Sequence, residues 1–162
     1  MNEKQMNECE LMAGEDKHQF YFKKNVSLQE YMMYLYVCNL NTDHVINIPK
    51  IYSYDEKNQI LQTQRIPNES IAFNYGEKPS KCPKHLLDEI RKTIKTLYNN
   101  GVEYPDISGY NFIEYKDKIW IIDFEHAKHI DASVKKTDPF VKKFINGSKK
   151  WNPLFTQAKK IV

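Results

Sequence analysis

One stretch, residues 101–125 with the sequence GVEYPDISGYNFIEYKDKIWIIDFE, limits the possible folds more than the rest of the chain together. Asp106 is followed five residues later by Asn111, and the run Ile119-Trp120-Ile121-Ile122 then ends on Asp123, with Phe124 and Glu125 after it. Four successive apolar residues read as a buried strand. A carboxylate at the end of such a strand needs a physical reason to be there. Asn111 and Asp123 carry oxygen donors of the kind Mg²⁺ prefers. Asp106 is a group able to orient or deprotonate a hydroxyl. Each residue also has an ordinary reading: Asp106 as a turn residue in a Pro-Asp pair, Asn111 as a turn-capping amide, Asp123 as a helix cap at a strand end. Order, spacing and strand context, taken jointly, point to chemistry.

Phosphoryl transfer from a metal nucleotide uses this set: one carboxylate for the acceptor hydroxyl, and an Asn and a second Asp for Mg²⁺ on the phosphates. On these residues the chain resembles the protein-kinase-like superfamily, as a reduced, atypical member. The resemblance spans roughly residues 20–127 and is specific only over 106–123. It implies ATP and Mg²⁺ as cofactors, Asp106 as the catalytic group, and Asn111 and Asp123 as metal ligands. Tyr104 stands where the family has His, and still supplies a ring to pack beneath the metal turn. Pro105 replaces the family's Arg, which removes the partner of a phosphorylated activation loop. Asp-Phe-Glu in place of Asp-Phe-Gly is similar to aminoglycoside-phosphotransferase-like branches and lacks the Gly that makes the turn mobile. No glycine lies between Gly14 and Gly76, so a G-x-G-x-x-G phosphate loop is excluded there, and no Ala-Pro-Glu follows Glu125. In both respects the chain looks closer to RIO-type kinases and the KEOPS kinase. Phosphate-cradling amides would then come from the turn near Gly14 or from a partner.

The pattern along the chain predicts residues 8–13 and 19–24 as a hairpin turning at 14–18. A helix over 27–38 follows, with Leu28, Tyr31, Met32 and Leu35 on one side. Strands over 48–54 and 60–66 are joined by 55–59, and 67–81 is a hinge stretch. Leu86, Leu87, Ile90, Ile94 and Leu97 mark a helix over 83–100, opened by Pro83 and ended by Gly101. Residues 111–115 and 118–122 form a hairpin turning at Lys116-Asp117. Beyond Asp123 the chain is helical in pieces, broken by Pro139, Gly147 and Pro153, with Trp151, Leu154 and Phe155 available to close the core. The fold expected is α+β: a minimal bilobal kinase-like domain with a reduced N-lobe over 1–66 and a truncated C-lobe with a basic tail over 67–162.

Lys23 and Lys24 end the strand QFYFKK, where the resemblance implies a phosphate-anchoring Lys. Strand alternation lets only one of them face the cleft. Phe20 and Phe22 place Lys24 on their own face, which selects Lys24 for cofactor binding. Glu30 is the helix partner that the resemblance implies, and Ser27 with Glu30 also makes a capping box that explains Glu30 without any catalytic role.

At 162 residues with 41% apolar and 28% charged residues, the chain is sized for one globular core. No apolar run is long enough for a membrane span, and the start lacks the pattern of a secretory signal. Cys9, Cys38 and Cys82 show neither a disulfide framework nor zinc spacing. An intracellular location, cytoplasmic or nuclear, follows. From Lys128 onward nine Lys face two Asp, more positive than the whole-chain net charge of +3. The doublets Lys135-Lys136, Lys142-Lys143 and Lys149-Lys150 recur every seven residues, with Lys159-Lys160 beyond, and read as a solvated face or as a nucleic-acid contact. His18, His44, His85, His126 and His129 show no ligand spacing. The functional expectation is a Ser/Thr protein kinase with ATP and a protein substrate or activating partner. A pseudokinase acting as an interaction module is the alternative from another class, and a small-molecule kinase is the third.

Overall fold

In a computed structural model, residues 19–40, 45–131, 133 and 137–156 are described. Residues 8–13 and 14–18, Cys9, the Lys135-Lys136 and Lys159-Lys160 doublets, and the turn near Gly14 lie outside them.

The chain begins with β1 (Phe20–Lys23), which runs antiparallel to β3 (Ile60–Gln64), setting Lys23 opposite Leu61. β2 (Ile51–Asp55) flanks β3 on the other side, giving the order β1-β3-β2. The β2–β3 turn is tied by Asp55, whose carboxylate accepts from both the backbone and the side-chain amide of Asn58. Between β1 and β2 lies α1 (Leu28–Cys38), started by Ser27, whose hydroxyl accepts the Glu30 N–H at 3.1 Å. Its inward face is Glu30, Met33, Tyr34 and Val37, while Leu28 and Met32 are 46% and 55% exposed. Both sets repeat at helical spacing, and the one carrying a charged residue is turned inward because that charge finds a partner there.

A short helix, α2 (Ile71–Tyr75), and then α3 (Lys84–Asn99) follow. α3 buries Leu86, Leu87, Ile90, Thr93, Ile94 and Leu97, and the chain leaves it through Gly101 at φ 82°. At that angle a Cβ would be strained. β4 (Val102–Glu103) pairs antiparallel with β7 (Lys128–His129), a ladder of two residues that leaves no readable period. β5 (Phe112–Tyr115) and β6 (Lys118–Ile121) form the expected hairpin, in register Phe112 to Ile121. Lys116 and Asp117 both sit at positive φ, 50° and 58°, the conformation of the two-residue turns that match strand twist.

α4 (Pro139–Ile145) and α5 (Pro153–Thr156) are the expected helical pieces. Val141, Phe144 and Trp151 are buried, whereas Leu154 is 76% exposed and closes nothing. Lys142, Lys143, Lys149 and Lys150 are all exposed. One core runs from Val26 and Tyr34 through Leu61, Ile90 and Phe112 to Phe124 and Phe144. The two halves are stitched by polar bonds as well: the Tyr34 hydroxyl donates to the Ile122 carbonyl at 2.7 Å, and the Ile121 N–H donates to the Asn47 carbonyl at 2.9 Å. The architecture is α+β and fits a reduced bilobal kinase-like fold. Among the described residues no helix is long and apolar enough to cross a membrane.

Candidate active site

A three-membered ion cluster joins the halves. Lys23 Nζ lies 2.6 Å from Glu30 Oε2 and 3.0 Å from Asp123 Oδ1. The Lys23 and Asp123 side chains are each 18% exposed and that of Glu30 only 2%. Burial opposes the charge on Lys23, but Asp123 first and then Glu30 outweigh it and hold the ammonium above its ordinary range. Burial raises the Glu30 carboxyl as well, with Lys23 opposing and Asp123 adding to the rise. The two directions differ in meaning: the cluster favours the lysine's charge, while Glu30 bears an uncompensated part of its desolvation.

The geometry corrects the expected lysine. Lys24 lies past the end of β1 and is exposed. Alternation along the strand does separate the two lysines, but the cleft face carries Tyr21 and Lys23, both lining the cavity described below. Phe22, on the other face, is 53% exposed. Glu30 changes its reading too. Its backbone N–H is capped by Ser27, while its carboxylate is spent on Lys23 and not on the cap.

Asp123 is positioned by the turn around it. The Glu125 N–H donates to Asp123 Oδ1 at 2.9 Å, the same oxygen that meets Lys23. The Tyr104 hydroxyl donates to the Asp123 carbonyl. Phe124, fully buried, meets the edge of Tyr34 at 4.7 Å and that of Tyr104 at 5.7 Å between ring centres. Burial, with Asp123 adding to it, keeps both tyrosine hydroxyls well above their ordinary range, so they remain donors across the working pH range. The turn is thus held from both sides by rings and hydroxyls, where many kinases have a mobile glycine.

Asp106 and Asn111 sit on the loop between β4 and β5, 4% and 1% exposed. Asn111 Nδ2 donates to the Asp106 carbonyl at 2.8 Å, and the Ile122 N–H donates to the Asn111 carbonyl at 3.1 Å. The second bond sets Asn111 beside the strand end that carries Asp123. Gly109 in this loop packs against α2, where a Cβ would come within 3.0 Å of the Ala72 nitrogen. Only glycine lets the loop lie that close.

These residues suit a metal of one kind. The Asn111 amide gives its N–H to Asp106, which directs its oxygen the other way, and Asp123 adds a carboxylate. Among the described residues no group of three or more His, Cys, Asp or Glu could hold a metal. An amide oxygen and a carboxylate are donors of the kind Mg²⁺ accepts.

Beside the cluster opens a cavity of about 420 Å³. Tyr21, Leu61, Thr63 and Gln64 line it from the sheet, Arg65, Ile66, Asn68, Glu69 and Ser70 from the linker, and Ile113 and Ile122 from the hairpin side, with Lys23 among its lining. It offers an aromatic and aliphatic compartment adjoining a charged one, so it suits a ligand that is planar at one end and anionic at the other. Sequence reasoning did not pick out Tyr21, because an aromatic on a strand reads as core.

The fold fits a reduced kinase-like architecture, and similarities to known proteins point the same way. The chain is 36% identical over 70 residues to a 3-deoxy-D-manno-octulosonic acid kinase of Vibrio parahaemolyticus, a stretch that is 42% of this chain and 29% of that protein. It is 25% identical over 87 residues to the KEOPS complex subunit Bud32 of Pyrococcus abyssi, covering 54% of this chain and 40% of that one. The matched stretch is thus less than half the length of either relative. No protein-family model matches the chain. These similarities support the kinase-like superfamily and point to a phosphotransferase.

Proposed function

We propose that this chain is an intracellular, ATP- and Mg²⁺-dependent phosphotransferase acting on an alcohol, with a Ser or Thr hydroxyl of a protein as the acceptor. The observation that carries the reading is Lys23 held between Glu30 and Asp123 at the cavity. Lys23, largely buried, faces the cavity with a carboxylate on each side, a position from which it could meet a phosphate chain. Of the two features that favour a pseudokinase, the doubtful Lys–Glu pair is answered by Lys23 and Glu30, 2.6 Å apart, while the missing glycine loop still speaks for it.

Each residue then has a task. Lys23 steadies the phosphates, and Glu30 aims Lys23. Asn111 and Asp123 would hold Mg²⁺, which would supply positive charge against that developing on the phosphates. Asp106 orients the acceptor hydroxyl and takes its proton as the oxygen attacks the γ-phosphorus; the bond to the β-phosphate oxygen breaks and ADP departs. The division into lobes falls at residues 66 and 67, with the linker lining the cavity between them.

A small-molecule acceptor is the second reading, favoured by Asp-Phe-Glu and by the similarity to a sugar-acid kinase. Calorimetry of ATP with and without Mg²⁺ tests the nucleotide site, and transfer from labelled ATP to a Ser/Thr-rich protein or to a panel of sugar acids tests the acceptor. Binding of Mg·ATP that is lost with EDTA, followed by label on the protein, is expected. Label on a sugar acid alone moves the assignment to the second reading, and absence of nucleotide binding overturns both.

A further inference from the structure

Three consecutive carbonyls around Asp106 are each held by hydrogen bonds, and one distant residue supplies two of those bonds. Asn152 Nδ2 donates to the Pro105 carbonyl at 2.8 Å, and the Asn152 backbone N–H donates to the Ile107 carbonyl at 2.8 Å. Asn111 holds the carbonyl between them. The Pro105 carbonyl also takes the Ile107 N–H at 2.8 Å, which closes a three-residue turn with Asp106 at its centre. Asn152 is 1% exposed, and its Oδ1 accepts the Leu154 N–H at 3.2 Å, so its amide is oriented from both ends.

Anchoring the tail does not require an amide at this position. Trp151, 6% exposed, already packs against Phe144, and Phe155 lies on His126 at 4.8 Å between ring centres. Burying an amide costs free energy that an apolar residue would not. The polar atoms of Asn152 are explained by what they hold, which is the backbone on either side of Asp106. Pro105 adds to the need, since it has no N–H of its own with which to brace the turn.

We infer that Asn152 is a positioning residue: the strap over residues 151–153 sets the direction in which the Asp106 carboxylate leaves its loop, and does so permanently. The inference rests on the reading of Asp106 as the group that orients the acceptor. It supplies what Pro105 removes. Without the family's arginine the loop has no phosphorylated segment to lock it, and the tail takes that place.

Asn152→Ala removes the side-chain bond, and Asn152→Asp keeps the shape while replacing the donor by an oxygen. Val141→Ala, in the buried face of α4, is the control for lost stability alone. Both Asn152 variants are expected to bind Mg·ATP like the parent and to lose about ten- to a hundredfold in turnover, the scale of a catalytic group misplaced by about an ångström. Amide hydrogen exchange should quicken over residues 107–111 and stay unchanged in β6. Val141→Ala should lower Tm with full turnover below it. Parent-like turnover and loop protection in Asn152→Ala overturn the inference, as does an equal loss of turnover in Val141→Ala. A parent that transfers no phosphate overturns the phosphotransferase reading instead, and the exchange rates still decide whether Asn152 holds the loop.

Discussion

Replacing Lys23 by Met leaves the Glu30 carboxylate, 2% exposed, without the cation 2.6 Å away. Removing one partner of a buried ion pair costs about 3–5 kcal/mol. A ceiling comes from protonation. Neutralising a carboxylate of ordinary pKa about 4.3 at pH 7 costs about 1.4 kcal/mol per unit, or about 3.7 kcal/mol. Glu30 is already raised in the parent, chiefly by its burial, so part of that cost is present before the substitution and the lower end of the range is expected. The pH dependence has a definite sign. A carboxyl whose folded pKa lies above its unfolded value destabilises the fold above that folded pKa, and stops doing so once pH has fallen to the unfolded value. The Lys23→Met deficit should therefore be larger at pH 7 than at pH 5. Lys24→Met, on an exposed side chain, should stay within about 0.5 kcal/mol. Urea denaturation at the two pH values, with Mg·ATP calorimetry, measures all of this. A Lys24→Met loss as large as that of Lys23→Met would return the anchoring role to Lys24. A Lys23→Met deficit independent of pH would assign the cost to the lost aliphatic stem and not to a stranded carboxylate.

Asp123→Asn should abolish Mg²⁺-dependent nucleotide binding while the fold survives, because an amide oxygen still accepts the Glu125 N–H; Mg·ATP affinity equal to the parent's by calorimetry would make Asp123 structural. Asp106→Ala should keep nucleotide binding and lose transfer by about a hundredfold or more, and equal labelled-ATP transfer in both proteins would remove Asp106 from the mechanism. Tyr21→Ala should weaken Mg·ATP by about 1–3 kcal/mol, the scale of base stacking on an aromatic, and leave Mg·tripolyphosphate untouched; equal losses for both ligands would refute a base against that ring. Truncation after Gly147 should lower Tm sharply, since it removes Trp151 and Asn152 from the interior, and a transition unchanged by calorimetry would show the tail to be dispensable for folding.

Much of the frame was legible locally. The α3 period, its Pro83 start and Gly101 stop, and the β5–β6 hairpin with its two-residue turn all depend on neighbours in sequence, where propensity and spacing act directly. Asp106, Asn111 and Asp123 are separated by five residues and one hairpin, and hydrogen bonds tie Asn111 to the Asp106 carbonyl and to Ile122, the residue before Asp123.

Other features rest on contacts that no local period encodes. Alternation separated Lys23 from Lys24 but not which face of β1 meets the cleft; that depended on where α1 and Asp123 lie, a hundred residues away in the case of the aspartate. α1 has two stripes at helical spacing; in the more apolar one Leu28 and Met32 are exposed, while Glu30 of the other is turned inward to Lys23. β4 and β7, two residues each, exist through their mutual pairing. Asn152 was read only as part of a tail, and its bonds to Pro105 and Ile107 appear only when that tail is folded under the loop. Thus spacing within a few residues marked the candidate groups, whereas burial and long-range pairing decided which lysine, which helix face and which tail residue lie around them. The physical reason is range: strand and helix periods are set by adjacent dihedral angles, while the choice between equivalent faces is made by the charge or core each one meets across the fold.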